Sequence, residues 1–331
     1  MGKVRDHDHD DVGGLRFTSI VKGRGQTEIV WKRMRLGADE LNYRPPEKAT
    51  MPMTLSIFRV DGSELRDLVV LDDSTERIAS PAWSPDDLFI AFEQFPGDVD
   101  LSRIKKVKVE GGLVTDLGAG TVPDFSSDGK QIAFSARNEG IGIMNSDGSE
   151  RRILERHGWG LIWSPNPSEL FFSNYRKLIR LDVSTGRQTS LFSDTVTNEL
   201  TQVFWNLDWS PDGQRIAFNA MDRSSNKRQL LVTSLSKPQP PKVLLSGLRY
   251  SHVDHCWSPD GNRILIQIDQ PGSIGRQLFL LDVDQAGAPI PLSSAPSDRI
   301  VFGADWSHDG KWIAIASQPI PQIRRWNAPP E

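Results

Sequence analysis

Hydrophobic positions along this chain come in short blocks, each opened by an aromatic residue and a tight-turn signature and followed by an apolar strand. Six blocks align without a gap: WSPDDLFIAF from Trp83, FSSDGKQIAF from Phe125, WSPNPSELFF from Trp163, WSPDGQRIAF from Trp209, WSPDGNRILI from Trp257 and WSHDGKWIAI from Trp306. Their starts lie 42, 38, 46, 48 and 49 residues apart, close to the length of one four-stranded propeller blade. Ser-Pro-Asp-Gly reads as a type I turn in which Pro presets φ and Gly supplies the positive φ that closes a hairpin. Ile-Ala-Phe is then a short strand, and the aromatic before the turn is expected to fill the core between blades. Asp87 stands where the turn Gly belongs, which Asp tolerates in the left-handed region. Pro167 also stands there and cannot reach positive φ, so the third turn must differ. His308 replaces a turn Pro.

Each block continues into a second apolar strand, a turn and a short final strand, as in Ile141 to Leu154. The sixth block lacks this half: after Ile315 the chain is interrupted by Pro up to Glu331. The missing half stands near the other end, where Leu55 to Leu68 nearly copies 141–154. Leu55–Val60 and Leu65–Leu71 are therefore expected to complete the blade begun by Trp306 and Trp312, removing the exposed sheet edge. The predicted fold is all-β, a six-bladed β-propeller closed by N- and C-terminal strands sharing one blade.

The W-S-P-D-G-x-x-I-A-F unit and its I-x-x-M-N-x-D-G-S partner resemble the repeats of the TolB-type β-propeller family over about residues 54 to 316. The resemblance implies six blades. Such repeats also occur in protease propellers, carbohydrate lyases and binding modules, so function must be argued from a site. TolB itself has a separate N-terminal domain and a secretory leader, and residues 1–50 match neither.

Residues 1–50 read as an N-terminal extension and 51–331 as the propeller. The extension has an acidic, His-rich tip (Asp6 to Asp11), expected to be flexible. A basic hairpin over Phe17 to Met34 follows, then a Pro linker at Arg44-Pro45-Pro46. Lys plus Arg number 39 against 43 Asp plus Glu across 331 residues, a formal charge of −4, without the basic excess of a nucleic-acid binder. The single cysteine, Cys256, excludes an internal disulfide framework, and beside Trp257 it reads as a small buried hydrophobe. No apolar run approaches the ~18 residues of a membrane helix, and no secretory leader opens the sequence. The expected location is cytoplasmic as numbered, or periplasmic if a leader was removed.

A G-x-S-x-G elbow, a phosphate loop and a dinucleotide motif are all absent, and no cofactor is expected. Counting back from the repeat aromatics reaches the rim of the central channel. There the third to fifth blades offer His157, Trp159, Trp205, Asn206, His252, Asp254 and His255, whereas the others offer mainly small or apolar residues apart from Arg77. These point to a one-sided binding surface for a protein partner, with the tryptophans as contact anchors. The bland alternative is that the tryptophans cap inter-blade cores and the histidines bond backbone. His252 and Asp254 share a strand face, and with His157 they form a metal set of the kind held by the oligogalacturonate lyase family. Asp124, Asp208 and Asp305, each just before a repeat aromatic, are expected to bind loop amides. The reading is a non-catalytic protein-binding or scaffolding propeller, a subunit or accessory component of a larger assembly. The alternative is a metal-dependent carbohydrate-active enzyme with its site at the channel mouth.

Overall fold

The repeat signature folds because its polar atoms are satisfied within five residues of one another. After Trp209, the Ser210 hydroxyl donates to Asp212 (2.5 Å) and accepts from the Arg215 amide (2.9 Å). Asp212 in turn accepts from the Gln214 amide at 3.0 Å. Gly213 closes the turn at φ +66, and a Cβ there would lie 3.0 Å from Pro165 of the preceding blade. Gly129, Gly261 and Gly310 adopt the same conformation at φ 70, 72 and 76, and Asp87 takes it at φ 57. The third turn does differ. Pro167 has no amide to return to Ser164, and the Glu169 amide bonds the Asn166 carbonyl instead, at 3.1 Å.

The computed structural model describes residues 18–22, 26–30, 51–72, 75–136, 138–193, 198–236, 240–248, 254–269, 276–285 and 287–320. The chain divides into two compact units, Met1–Ala49 and Thr50–Glu331. In the first, Thr18–Lys22 pairs antiparallel with Gln26–Val30, a hairpin within the span expected from the sequence. The acidic tip and the Pro linker lie outside the described residues.

In the second unit the strands form six four-stranded antiparallel sheets. Their innermost strands are Arg77–Trp83, Thr121–Phe125, Trp159–Trp163, Leu200–Trp209, His255–Trp257 and Arg299–Trp306. Each touches the next, and the last touches the first, so the sheets stand as blades in a closed ring. The repeat aromatics lie in the clefts between blades: Trp83 packs with Ala314 and Ile57, Trp163 with Ile141 and Ile143, and Trp257 with Leu230 and Val232. Each such side chain withdraws roughly 150–250 Å² from water, several kcal/mol at about 25 cal/mol per Å².

The sixth blade is the shared one, with strand order Arg299–Trp306, Trp312–Pro319, Thr54–Arg59, Leu65–Val70. One side chain crosses all of it. The Arg299 guanidinium, 12% exposed, donates to Thr54 (2.8 Å), Ser56 (3.0 Å) and Asp67 (3.0 Å), with Ser317 at 3.5 Å. The seam from this blade to the first has a clasp built from two departures from the repeat. Asp87 accepts from the His308 and Asp309 amides, both at 2.8 Å, and faces the His308 ring at 3.1 Å.

Candidate functional site

Five of the six inner strands shift register against their partner before the repeat aromatic, and only the described part of the fifth, His255–Trp257, pairs straight. In the fourth blade Val203 pairs with Ala220 and Leu207 with Phe218, so Phe204, Trp205 and Asn206 lie in the bulge. Equivalent residues in the first three blades, Ser80, Val122 and Gly160, take positive φ. These bulges line a cavity of about 110 Å³ on the ring axis, bordered by Trp205, Asn206, Asp254 and the repeat acids Asp124, Asp208 and Asp305.

The two expected tryptophans meet. Trp159 and Trp205 are partly buried, their rings edge to face at 6.1 Å and 76°. Gly160 makes this possible: a Cβ on it would fall 2.1 Å from Trp205 Cβ. Trp205 also contacts Phe204 edge to face at 5.9 Å, and the buried Arg228 guanidinium lies 3.9 Å over the Phe204 ring. Asn206 and Asp254 meet as well, the Asn206 amide donating to the Asp254 carboxylate across the seam between the fourth and fifth blades. Burial pushes Asp254 up to about 6, although Arg276, Asn206 and Arg228 pull the other way. Burial also lowers Arg228 to about 10. His255 is buried, with Nδ1 3.1 Å from the Asn219 amide nitrogen.

His157 is not part of this arrangement. Its side chain is 92% exposed and pairs with Glu155 at 3.3 Å. It sits in the connection between two blades, outside the cavity lining. His252 lies outside the described residues. Among the described residues no three His, Cys, Asp or Glu side chains converge with metal-ligand spacing.

The repeat acids do bind amides, each reaching to the next blade. Asp124 accepts from Trp163 N (2.6 Å), Asp208 from Trp257 N (2.5 Å) and Asp305 from Trp83 N (2.8 Å). Asp208 and Asp305 also accept from the amides of Trp209 and Trp306, both at 2.9 Å. Burial raises all three carboxyls, Asp124 to about 7.

Sequence reasoning missed Tyr175. Its backbone sits at φ +71, which is strained for a bulky side chain. Its carbonyl accepts from Val203 N (2.8 Å) and its amide donates to Ser173 (3.0 Å), leaving the ring 53% exposed. The turn carrying it has no repeat signature that could have marked it. Arg228 was equally hidden, on a middle strand without a rim position.

No protein-family model and no curated protein matches the sequence. Solved structures do. A protein described as TolB from Agrobacterium tumefaciens superposes with a TM-score of 0.57 at 20% identity, over 82% of this chain and 99% of that one. TolB from Acinetobacter baumannii gives 0.57 at 16%, over 83% and 66%. A chain of the nidogen/laminin complex gives 0.54 at 14%, over 76% and 97%. Likeness at this level of identity establishes fold alone, and with the repeats it makes the chain a six-bladed propeller of the TolB type.

Proposed function

We infer that the chain is a non-catalytic protein-binding propeller, a scaffold or accessory component of a larger assembly, working through the mouth of its channel on the third to fifth blades. The observation that carries this reading is the Trp159–Trp205 pair, held edge to face and only partly buried beside a polar cavity. Large aromatics fixed by their scaffold lose little entropy on contact and dominate binding energy. Asn206 and Asp254 supply a donor and a carboxylate behind them, and Tyr175 adds an exposed ring anchored to Val203, two residues before Trp205. This mixture suits a polar polypeptide segment better than an apolar ligand. Nucleic acid is disfavoured by the acidic balance of the chain. No described helix is long and apolar enough to cross a membrane. One structural neighbour is a chain of a solved complex of nidogen with laminin, an assembly of two proteins.

The test is capture of partners by the intact chain, read by mass spectrometry against the Trp159→Ala and Tyr175→Ala variants. Partners retained by the native chain and lost by both variants, at unchanged melting temperature, support the reading. Undiminished capture by both overturns it. Stoichiometric metal on the native chain that is lost in Asp254→Asn would favour the metal-dependent enzyme instead.

A further inference from the structure

Three carboxylates share the axial cavity, one from every second blade, and each fastens its blade to the next. Asp124 holds the third blade by Trp163 N, Asp208 the fifth by Trp257 N, and Asp305 the first by Trp83 N. Among the described residues no lysine or arginine lines the cavity to balance them. The titratable groups facing it are these three with Asp254, Cys256 and the buried His255. Asp254 has Arg276 and Arg228 within electrostatic reach. Asp305 also feels His308 and Asp87 from the clasp at the sixth seam. The first and third blades contribute only Ser80, Pro81, Ala82, Leu161 and Ile162, none of them titratable.

We propose that Asp124, Asp208 and Asp305 form a proton-operated latch that tightens the ring when the carboxyls are neutral and loosens it when they ionise together. A neutral carboxyl still accepts the neighbour's amide through its carbonyl oxygen, so protonation keeps the inter-blade bond. Ionisation also keeps it, but puts like charges into one small cavity that no lysine or arginine lines among the described residues. The sign follows from linkage. The folded-state carboxyls sit above their unfolded values, so their contribution is fully present below about pH 4, the ordinary Asp range. It is lost as pH rises through about 7, where Asp124 titrates. This is opposite to the turn acids Asp128 and Asp212, which serine and backbone hydrogen bonds hold low.

The experiment is thermal unfolding of the full chain and its Asp124→Asn, Asp208→Asn and Asp305→Asn variants at about pH 5 and about pH 8. Asn removes the charge and keeps one acceptor oxygen, which suffices for the single amide on Asp124. At Asp208 and Asp305, where both oxygens accept, it also gives up one of two amide bonds, so Asp124→Asn is the cleanest of the three. The expected result is a gain of several degrees at the higher pH that shrinks or reverses at the lower one. A shift of equal size at both, or a loss at the higher pH alone, overturns the proposal. Carbon-13 NMR of aspartate-labelled native protein is independent of how the variants fold. Carboxyl resonances titrating between about pH 6 and 8 support the latch, and titration of every Asp below about pH 5 refutes it.

Discussion

The even-numbered and odd-numbered blades share one repeat and differ most at the ring axis. Just before the aromatic, the second, fourth and sixth blades carry Asp124, Asp208 and Asp305, while the first, third and fifth carry Ala82, Ile162 and Cys256. The odd blades in return bury their tryptophans more deeply, Trp83, Trp163 and Trp257 being only 3%, 4% and 4% exposed, whereas Trp209 and Trp306 remain partly exposed. Each even blade thus offers an acceptor, and each following odd blade offers a buried tryptophan whose backbone amide donates to it. The repeat of six is physically three pairs. At the ring axis, seams leaving even blades are fastened by a carboxyl–amide hydrogen bond, whereas seams leaving odd blades lack such an acid and rely there on fit.

Fit is the less forgiving of the two. Gly160→Val, at the seam from the third blade to the fourth, places a branched side chain where the Trp205 backbone already lies and where φ is positive. It is expected to cost about 4 kcal/mol through overpacking plus backbone strain, read as a drop in the urea midpoint. Next comes the closing blade. Arg299→Ala leaves Asp67 and three hydroxyls without their shared donor and is expected to cost about 3 kcal/mol. A double-mutant cycle with Asp67→Ala should return a positive coupling, and strict additivity would mean that the guanidinium does not join the strands. At an even seam, Asp208→Ala leaves the Trp257 amide without its carboxylate and is expected to cost about 2 kcal/mol, while Ile162→Ala tests the matching position of an odd blade without touching an amide bond. The smallest effect is expected from Asp87→Gly, which restores the repeat. It loses the bonds to His308 and Asp309 but relieves a positive φ, for a net cost of about 1 kcal/mol in thermal unfolding.

Legibility followed the range of the interactions. The turns could be read from sequence because Ser210, Asp212, Gly213 and Arg215 satisfy one another locally, and the same logic flagged Pro167 as an exception. The shared blade could be read because its two halves copy a complete unit elsewhere. The rim was harder. Trp159, Trp205, Asn206 and Asp254 were found by counting back from the aromatics, and the structure brings them together in pairs. The same counting also selected His157, which the connection between blades carries out to solvent, because counting assumes a straight strand. Tyr175, from a turn, and Arg228, from a middle strand, meet the inner-strand bulge only once the blades are folded, and no local pattern encodes that.

The shared blade also imposes an order on synthesis. Thr54 and Ser317 are neighbours in the sheet yet stand 263 positions apart in the chain. The strands Thr54–Arg59 and Leu65–Val70 therefore emerge early from the ribosome as half a sheet, and must wait while five complete blades are made. Through that interval the edge that will receive Trp312–Pro319 is open to pairing with any other strand, including the same edge of a nascent sister chain. Only once Arg299–Trp306 and Trp312–Pro319 have been made can the ring close and end that exposure, so the fold depends on a contact that nearly the whole propeller must precede.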